Sequence, residues 1–131
     1  MENVIIGIDL GGTRLRIGAV TPDNQVIELF VTESATVANA KNPVQKLCEF
    51  IAEYKANTHT EHVAAISIGV PSSVECDKET VICTTNIRNQ AGEVVFFHTN
   101  LAKQIREYFQ VPVFVNNDVN NILLYDIVAN H

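Results

Sequence analysis

The chain has 131 residues, 47% of them apolar, with three cysteines and a formal net charge of −6. That is one domain's worth of sequence, long enough to bury a sizeable core and short for a two-domain enzyme. The acidic balance and the lack of a basic block exclude non-specific nucleic-acid binding, and no apolar run reaches the roughly 20 residues of a membrane-crossing helix.

The start, MENVIIG, has neither a charged leader region nor a small-residue cleavage site, so a cytoplasmic chain without a membrane partner is expected. A first β-branched run over 4–8, a second over 15–20 and a third over 26–32 predict three strands, the last two joined by the turn TPDN. Connections this short predict an antiparallel meander. Asn42-Pro43 reads as a helix cap followed by proline at the first helical position. Val44, Leu47, Cys48, Ile51 and Tyr54 then follow at helical spacing and define one apolar face.

His59 and His62 have the spacing of two metal ligands, but they lie in the polar stretch KANTHTEH without a companion acid or cysteine at ligand spacing, and read as a solvated loop. VAAISIGV, over 63–70, is apolar at nearly every position, which predicts a central parallel strand covered on both faces. An irregular polar stretch follows. Leu101, Ile105 and Tyr108 mark a second helix that starts near Thr99 or Asn100 and stops before Val111-Pro112. A buried strand is predicted over 113–115, and Ile122, Leu123, Tyr125, Ile127 and Val128 predict a terminal helix. That helix reaches His131 without a recognisable cap, so a larger protein is expected to continue there. Cys48, Cys76 and Cys83 form no C-x-x-C pair and read as reduced, mostly buried thiols.

Two places carry chemistry. Asp9-Leu10-Gly11-Gly12-Thr13 lies between two strands that must run in opposite directions. It matches neither a P-loop nor the dinucleotide fingerprint, both of which lead into a helix. Paired glycines allow positive φ and leave the backbone open, so successive N–H groups can converge on phosphate oxygens while Thr13 adds a hydroxyl. Asp9, at the strand end, is placed to reach a magnesium ion through water. The plain alternative is a tight hairpin capped by an acid.

The second place is Asn116-Asn117-Asp118, after the strand VPVFV. An acid at the C-terminal end of a parallel strand projects into the cleft where open α/β sheets bind ligands. Asn117 and Asn120 would add amides that read sugar hydroxyls, as would Asn86 in the polar stretch CTTNIRNQ. A carboxylate bonded to a sugar hydroxyl can orient its oxygen toward phosphorus and accept its proton. The plain alternative makes Asp118 a helix cap and the asparagines turn formers.

Taken together, GIDLGGTRLRIGAV, SIGVP, TTNI and VFVNNDVN, in that order and spanning the chain, resemble the ROK family of sugar kinases. That family belongs to the actin, Hsp70 and hexokinase superfamily. The resemblance implies an α/β fold of the ribonuclease H-like, actin-like ATPase type: a mixed five-stranded sheet, with an antiparallel three-strand meander followed by parallel strands and helices on both faces. Residues 1–131 would be the N-terminal, sugar-side domain of an ATP-dependent kinase that phosphorylates the primary hydroxyl of a hexose. Asp118 would be the catalytic base, and Asn86 and Asn117 would bind the sugar with it. Asp9, Gly11, Gly12 and Thr13 would take the phosphates of ATP, with Asp9 holding magnesium through water. NDVN followed by LLYDIV is more similar to D-allose kinases than to glucokinases.

Three positions depart from the family pattern. Arg14 stands where lysine is usual, Ser72 where glycine follows the proline, and TTN where the family has TPN. The family's second domain carries a further sugar-binding Glu and His, a cysteine-rich motif for structural zinc and a second glycine-rich phosphate loop, and the full-length protein would be a homodimer. None of its motifs falls within these residues, so the isolated chain is expected to be inactive. The resemblance extends to transcriptional repressors, so a sugar-sensing module without catalysis is the alternative. Those repressors carry a DNA-binding unit ahead of this domain, where this sequence has only Met1, Glu2 and Asn3.

Overall fold

A computed structural model describes residues 4–23, 25–70, 73–74, 80–83, 87–96 and 99–117. The chain opens as the expected meander: β1 (Val4–Leu10), β2 (Arg14–Val20) and β3 (Val26–Glu33) pair antiparallel in sequence. A five-residue helix, α1 (Ser34–Ala38), follows at once. The sequence pattern gives no sign of it, because SATVA holds two β-branched residues and a serine, all modest helix formers. Burial holds it in place: Val37 is 1% and Ala38 3% exposed.

The next helix, α2 (Pro43–Asn57), begins as the sequence implies. Pro43 occupies the first turn, and the Asn42 side chain accepts a hydrogen bond from the Gln45 N–H at 3.2 Å. Leu47, Cys48, Ile51 and Tyr54 are its buried stripe. Tyr54 has no exposed surface, its ring meets Phe30 edge-on at 5.0 Å, and its hydroxyl donates to the Glu28 carbonyl at 2.6 Å. One side chain thus ties α2 to the edge strand β3 by both apolar and polar contact.

Strand β4 (Val63–Val70) then enters beside β1 and runs parallel to it. The segment expected to be irregular contains a small second sheet, with β5 (Ser73–Val74), β6 (Thr80–Cys83) and β7 (Thr99–Asn100) in that order. Short strands among polar residues escape a periodicity argument. Val81, Ile87, Val95 and Phe96 are buried beside them and supply the apolar support. Helix α3 (Leu101–Phe109) starts at the expected asparagine, where the Asn100 side chain accepts from the Lys103 N–H at 2.8 Å. It ends with Gln110 in the left-handed region, φ 61°. Its buried stripe is Leu101, Ala102 and Ile105, with Phe109 partly buried, whereas Tyr108 is 52% exposed. The expected Tyr108 is therefore corrected: the helix turns Phe109 inward under the Lys55 ammonium, 5.4 Å from the ring centroid.

Strand β8 (Val113–Asn117) completes a five-stranded sheet in the order β3-β2-β1-β4-β8, with β4 parallel to both neighbours. This is the mixed sheet the sequence implies, with β4 inside it. Ile6, Ile8, Leu10, Leu15, Ile17, Ile66 and Ile68 point to one side and join the buried residues of the three helices in a single core. Coverage of β4 differs from expectation. Ile66, Ile68 and Val70 are fully buried, but Ala65 and Ser67 on the other face are only half-buried, because the described helices all pack on one side. The terminal helix expected at 122–128 lies outside the described residues.

Candidate functional site

Parallel pairing brings the carboxyl ends of β1, β4 and β8 to the same edge. Across the sheet Asp9 pairs with Gly69, Gly69 with Asn116 and Val70 with Asn117. The β1–β2 connection projects from that edge. Its last sheet pair is Leu10 with Leu15, after which the Gly11 N–H donates to the Arg14 carbonyl at 3.0 Å and Gly12-Thr13 form the tip. A Cβ on Gly11 would stand 3.0 Å from the same Arg14 oxygen, so the first glycine is needed for the close approach of the two strands. Its amide is committed to the turn. Any anion cradle here must therefore be built from the exposed tip, Gly12 and Thr13, with the exposed Arg14 beside it.

Asp9 lies on the face of β1 away from the core, directly opposite Arg16 of β2. Its Oδ2 is 3.4 Å from Arg16 Nη1, and the two side chains are 30% and 29% exposed. The contact is monodentate and partly solvated, so it orients the carboxylate more than it stabilises the fold. A hard cation takes oxygen donors and keeps several waters, and a half-exposed carboxylate with one oxygen turned to an arginine fits that role through water. Among the described residues no group of three or more His, Cys, Asp or Glu gathers at metal-binding distance. His59 lies in the turn after α2 with φ 55°, and His62 lies just before β4, at the end of the sheet opposite the hairpin.

Two contributors went unseen in the sequence. Arg16 was legible in principle: once Gly12-Thr13 is taken as the hairpin tip, counting back along both strands sets residue 9 against residue 16. Ser34 was not. It is 1% exposed, its N–H donates to the Thr13 carbonyl at 2.9 Å, and its Oγ donates to the Gly11 carbonyl at 2.6 Å. No local pattern links residues so far apart in the chain. Of the other expected site residues, Asn117 ends β8 at the shared edge, whereas Asn86, Asp118 and Asn120 lie outside the described residues, as do Pro71 and Ser72.

A family model described as the ROK family matches residues 5–128. Among curated proteins, a glucokinase of Thermotoga maritima is 27% identical over 121 residues, which cover 92% of this chain and 35% of that one. Among solved structures, a ROK family glucokinase from Streptomyces griseus in complex with glucose and AMPPNP superposes with a TM-score of 0.70 at 26% identity, over 88% of this chain and 33% of that chain. A ROK family transcriptional regulator, a homologue of the E. coli MLC protein, superposes with a TM-score of 0.78 at 18% identity, over 98% of this chain and 31% of that one. At that identity the likeness to the regulator is one of fold alone. The chain spans about a third of the length of the curated relatives it matches.

Proposed function

The chain belongs to the ROK family, and from that premise we propose that it is the N-terminal, sugar-side part of an ATP-dependent hexose kinase. The observation that carries this reading is the shared edge. The glycine hairpin, Asp9 and the ends of β4 and β8 are brought to one side of the sheet by strand register alone. The residue that follows β8 in the chain is Asp118.

In the proposed reaction Asp118 accepts a hydrogen bond from the primary hydroxyl of the sugar and takes its proton as that oxygen attacks the γ-phosphorus. A bond forms between the sugar oxygen and phosphorus, the bond to the β-γ bridging oxygen breaks, and ADP leaves. Asn86 and Asn117 hold sugar hydroxyls so that the attacking oxygen lies in line. Gly12 and Thr13 bind phosphate oxygens, and Arg14 adds positive charge without the point geometry of lysine. Magnesium, when bound, neutralises charge on the phosphates, and Asp9 would hold it through water. Two of the similar proteins are glucokinases, so the substrate class proposed is hexose, and D-allose is one sugar of the panel rather than the assignment.

The test uses the complete protein with ATP, magnesium and a panel of glucose, mannose and D-allose, reading ADP release. Sugar-dependent release is expected, and Asp118→Asn should lower it by about 10²- to 10⁴-fold. Equal rates for both forms would remove Asp118 as the base, and sugar binding without ADP release would replace the kinase with a sensor. Residues 1–131 alone should release none, since half a cleft does not exclude water.

A further inference from the structure

We propose that Ser34 is the positioning residue of the glycine hairpin: it fixes the direction of the tip amides and so sets the affinity for a polyphosphate chain. The inference rests on the reading of the hairpin as a phosphate site. Ser34 stands one residue beyond the cross-strand pair Arg14 and Glu33, where β3 turns into α1. From there it reaches both sides of the tip, donating its Oγ–H to the Gly11 carbonyl at 2.6 Å and its N–H to the Thr13 carbonyl at 2.9 Å.

The consequence follows from the planarity of the peptide bond. The Gly11 carbonyl and the Gly12 N–H belong to one trans peptide unit and point in opposite directions, and so do the Thr13 carbonyl and the Arg14 N–H. Holding both carbonyls toward Ser34 therefore turns both N–H groups away from it. A peptide between two glycines meets little steric resistance to a flip, and a flipped Gly11-Gly12 unit would present an oxygen to an anion where a donor is required. The Ser34 hydroxyl opposes that flip. It is 1% exposed, so water does not compete for the bond, and the buried Val37 and Ala38 anchor the helix that carries it. Donors aimed before the ligand arrives bind it without a cost of reorganisation.

The experiment takes the 131-residue chain and four forms: wild type, Ser34→Ala, Ser34→Cys and Val37→Ala. Ser34→Cys fills the volume with a weak donor, so the test survives if the alanine form fails to fold. Val37→Ala weakens α1 at an equally buried position without touching the hairpin. Amide exchange at Gly11 and amide shifts over 11–14 on titration with magnesium tripolyphosphate are read, with the Ile66 amide as a report on the sheet. Ser34→Ala and Ser34→Cys should speed exchange at Gly11 and weaken tripolyphosphate about tenfold, the loss of one oriented hydrogen bond. Val37→Ala should leave affinity within about twofold, since it removes packing and no donor. Equal affinity in wild type and both Ser34 variants, or an equal loss in Val37→Ala, overturns the role of Ser34 alone. A wild type that takes no tripolyphosphate although Ser34→Ala loosens Gly11 overturns the phosphate reading, and the proposal falls with it.

Discussion

The two faces of the five-stranded sheet are made by the same strands and differ in everything else. On one face Ile6, Ile8, Leu10, Leu15, Ile17, Ile66 and Ile68 are buried under α1, α2 and α3. On the other, Ile5, Leu29, Val31 and Phe114 are 44% to 53% exposed, and the row at the carboxyl edge reads Val31, Arg16, Asp9, Gly69, Asn116. Alternation along a strand assigns residues to faces, but it does not say which face is the core. Here the helices decide, and the ion pair goes to the face they leave. Among the described residues the buried core therefore belongs to one face, and the candidate chemistry belongs to the other face and its edge.

That division can be broken at several depths. The largest effect is expected from Ile68→Ala on the helix-covered face, which should lower unfolding free energy by about 2–5 kcal/mol in a urea titration. A loss below about 1 kcal/mol would mean that the two faces do not differ as described. Next is Tyr54→Phe, which keeps the ring on Phe30 and leaves the Glu28 carbonyl without its donor. It should cost about 1 kcal/mol, and no change in the urea midpoint would show that packing alone holds α2 to β3.

Alkali sharpens the same contrast. Burial, with a smaller contribution from Glu49, pushes the Cys48 thiol from 9.0 up to about 11. Burial likewise pushes the Tyr54 hydroxyl from 10.0 up to about 12, with the Glu28 charge adding to it. Both groups hold their protons more tightly folded than unfolded. Their contribution is complete below pH 9 and is lost as the pH rises through the folded values near 11 and 12. The urea midpoint should fall over that interval, and less steeply in a Cys48→Ala, Tyr54→Phe form. An identical slope would place the titrating groups elsewhere. The smallest effect is expected on the open face: Val31→Thr, 53% exposed, should change stability by no more than about 0.5 kcal/mol. A larger loss would reveal that this face is covered in solution.

Much of this arrangement is legible in the sequence. The meander, the Asn42-Pro43 start of α2, the Asn100 start of α3 and the parallel placement of β4 all follow from local rules, because caps, short connections and runs of β-branched residues act within a few positions. The features that escaped depend on distant partners. α1 has weak propensity and is held by burial. Tyr108 and Phe109 are adjacent aromatics, and only the position of Lys55 and the core distinguishes them. The same holds at the site. Asp9 and the hairpin glycines stand where their types implied, but the commitment of the Gly11 amide to the turn and the double tether from Ser34 appear only when β3 is laid beside β2.

The order of strands also distributes the work of loop closure unevenly. Ile8 meets Ile17 across a tight turn, but it meets Ile68 only after α1 and α2 have been traversed. Joining chain ends costs an entropy that grows with the logarithm of the enclosed length, so the meander is the inexpensive half of the sheet and the parallel seam the expensive one. A covalent link across the β1–β4 seam would relieve more of that cost than one across β1–β2, which makes the parallel seam the place to reinforce the domain without approaching the hairpin tip.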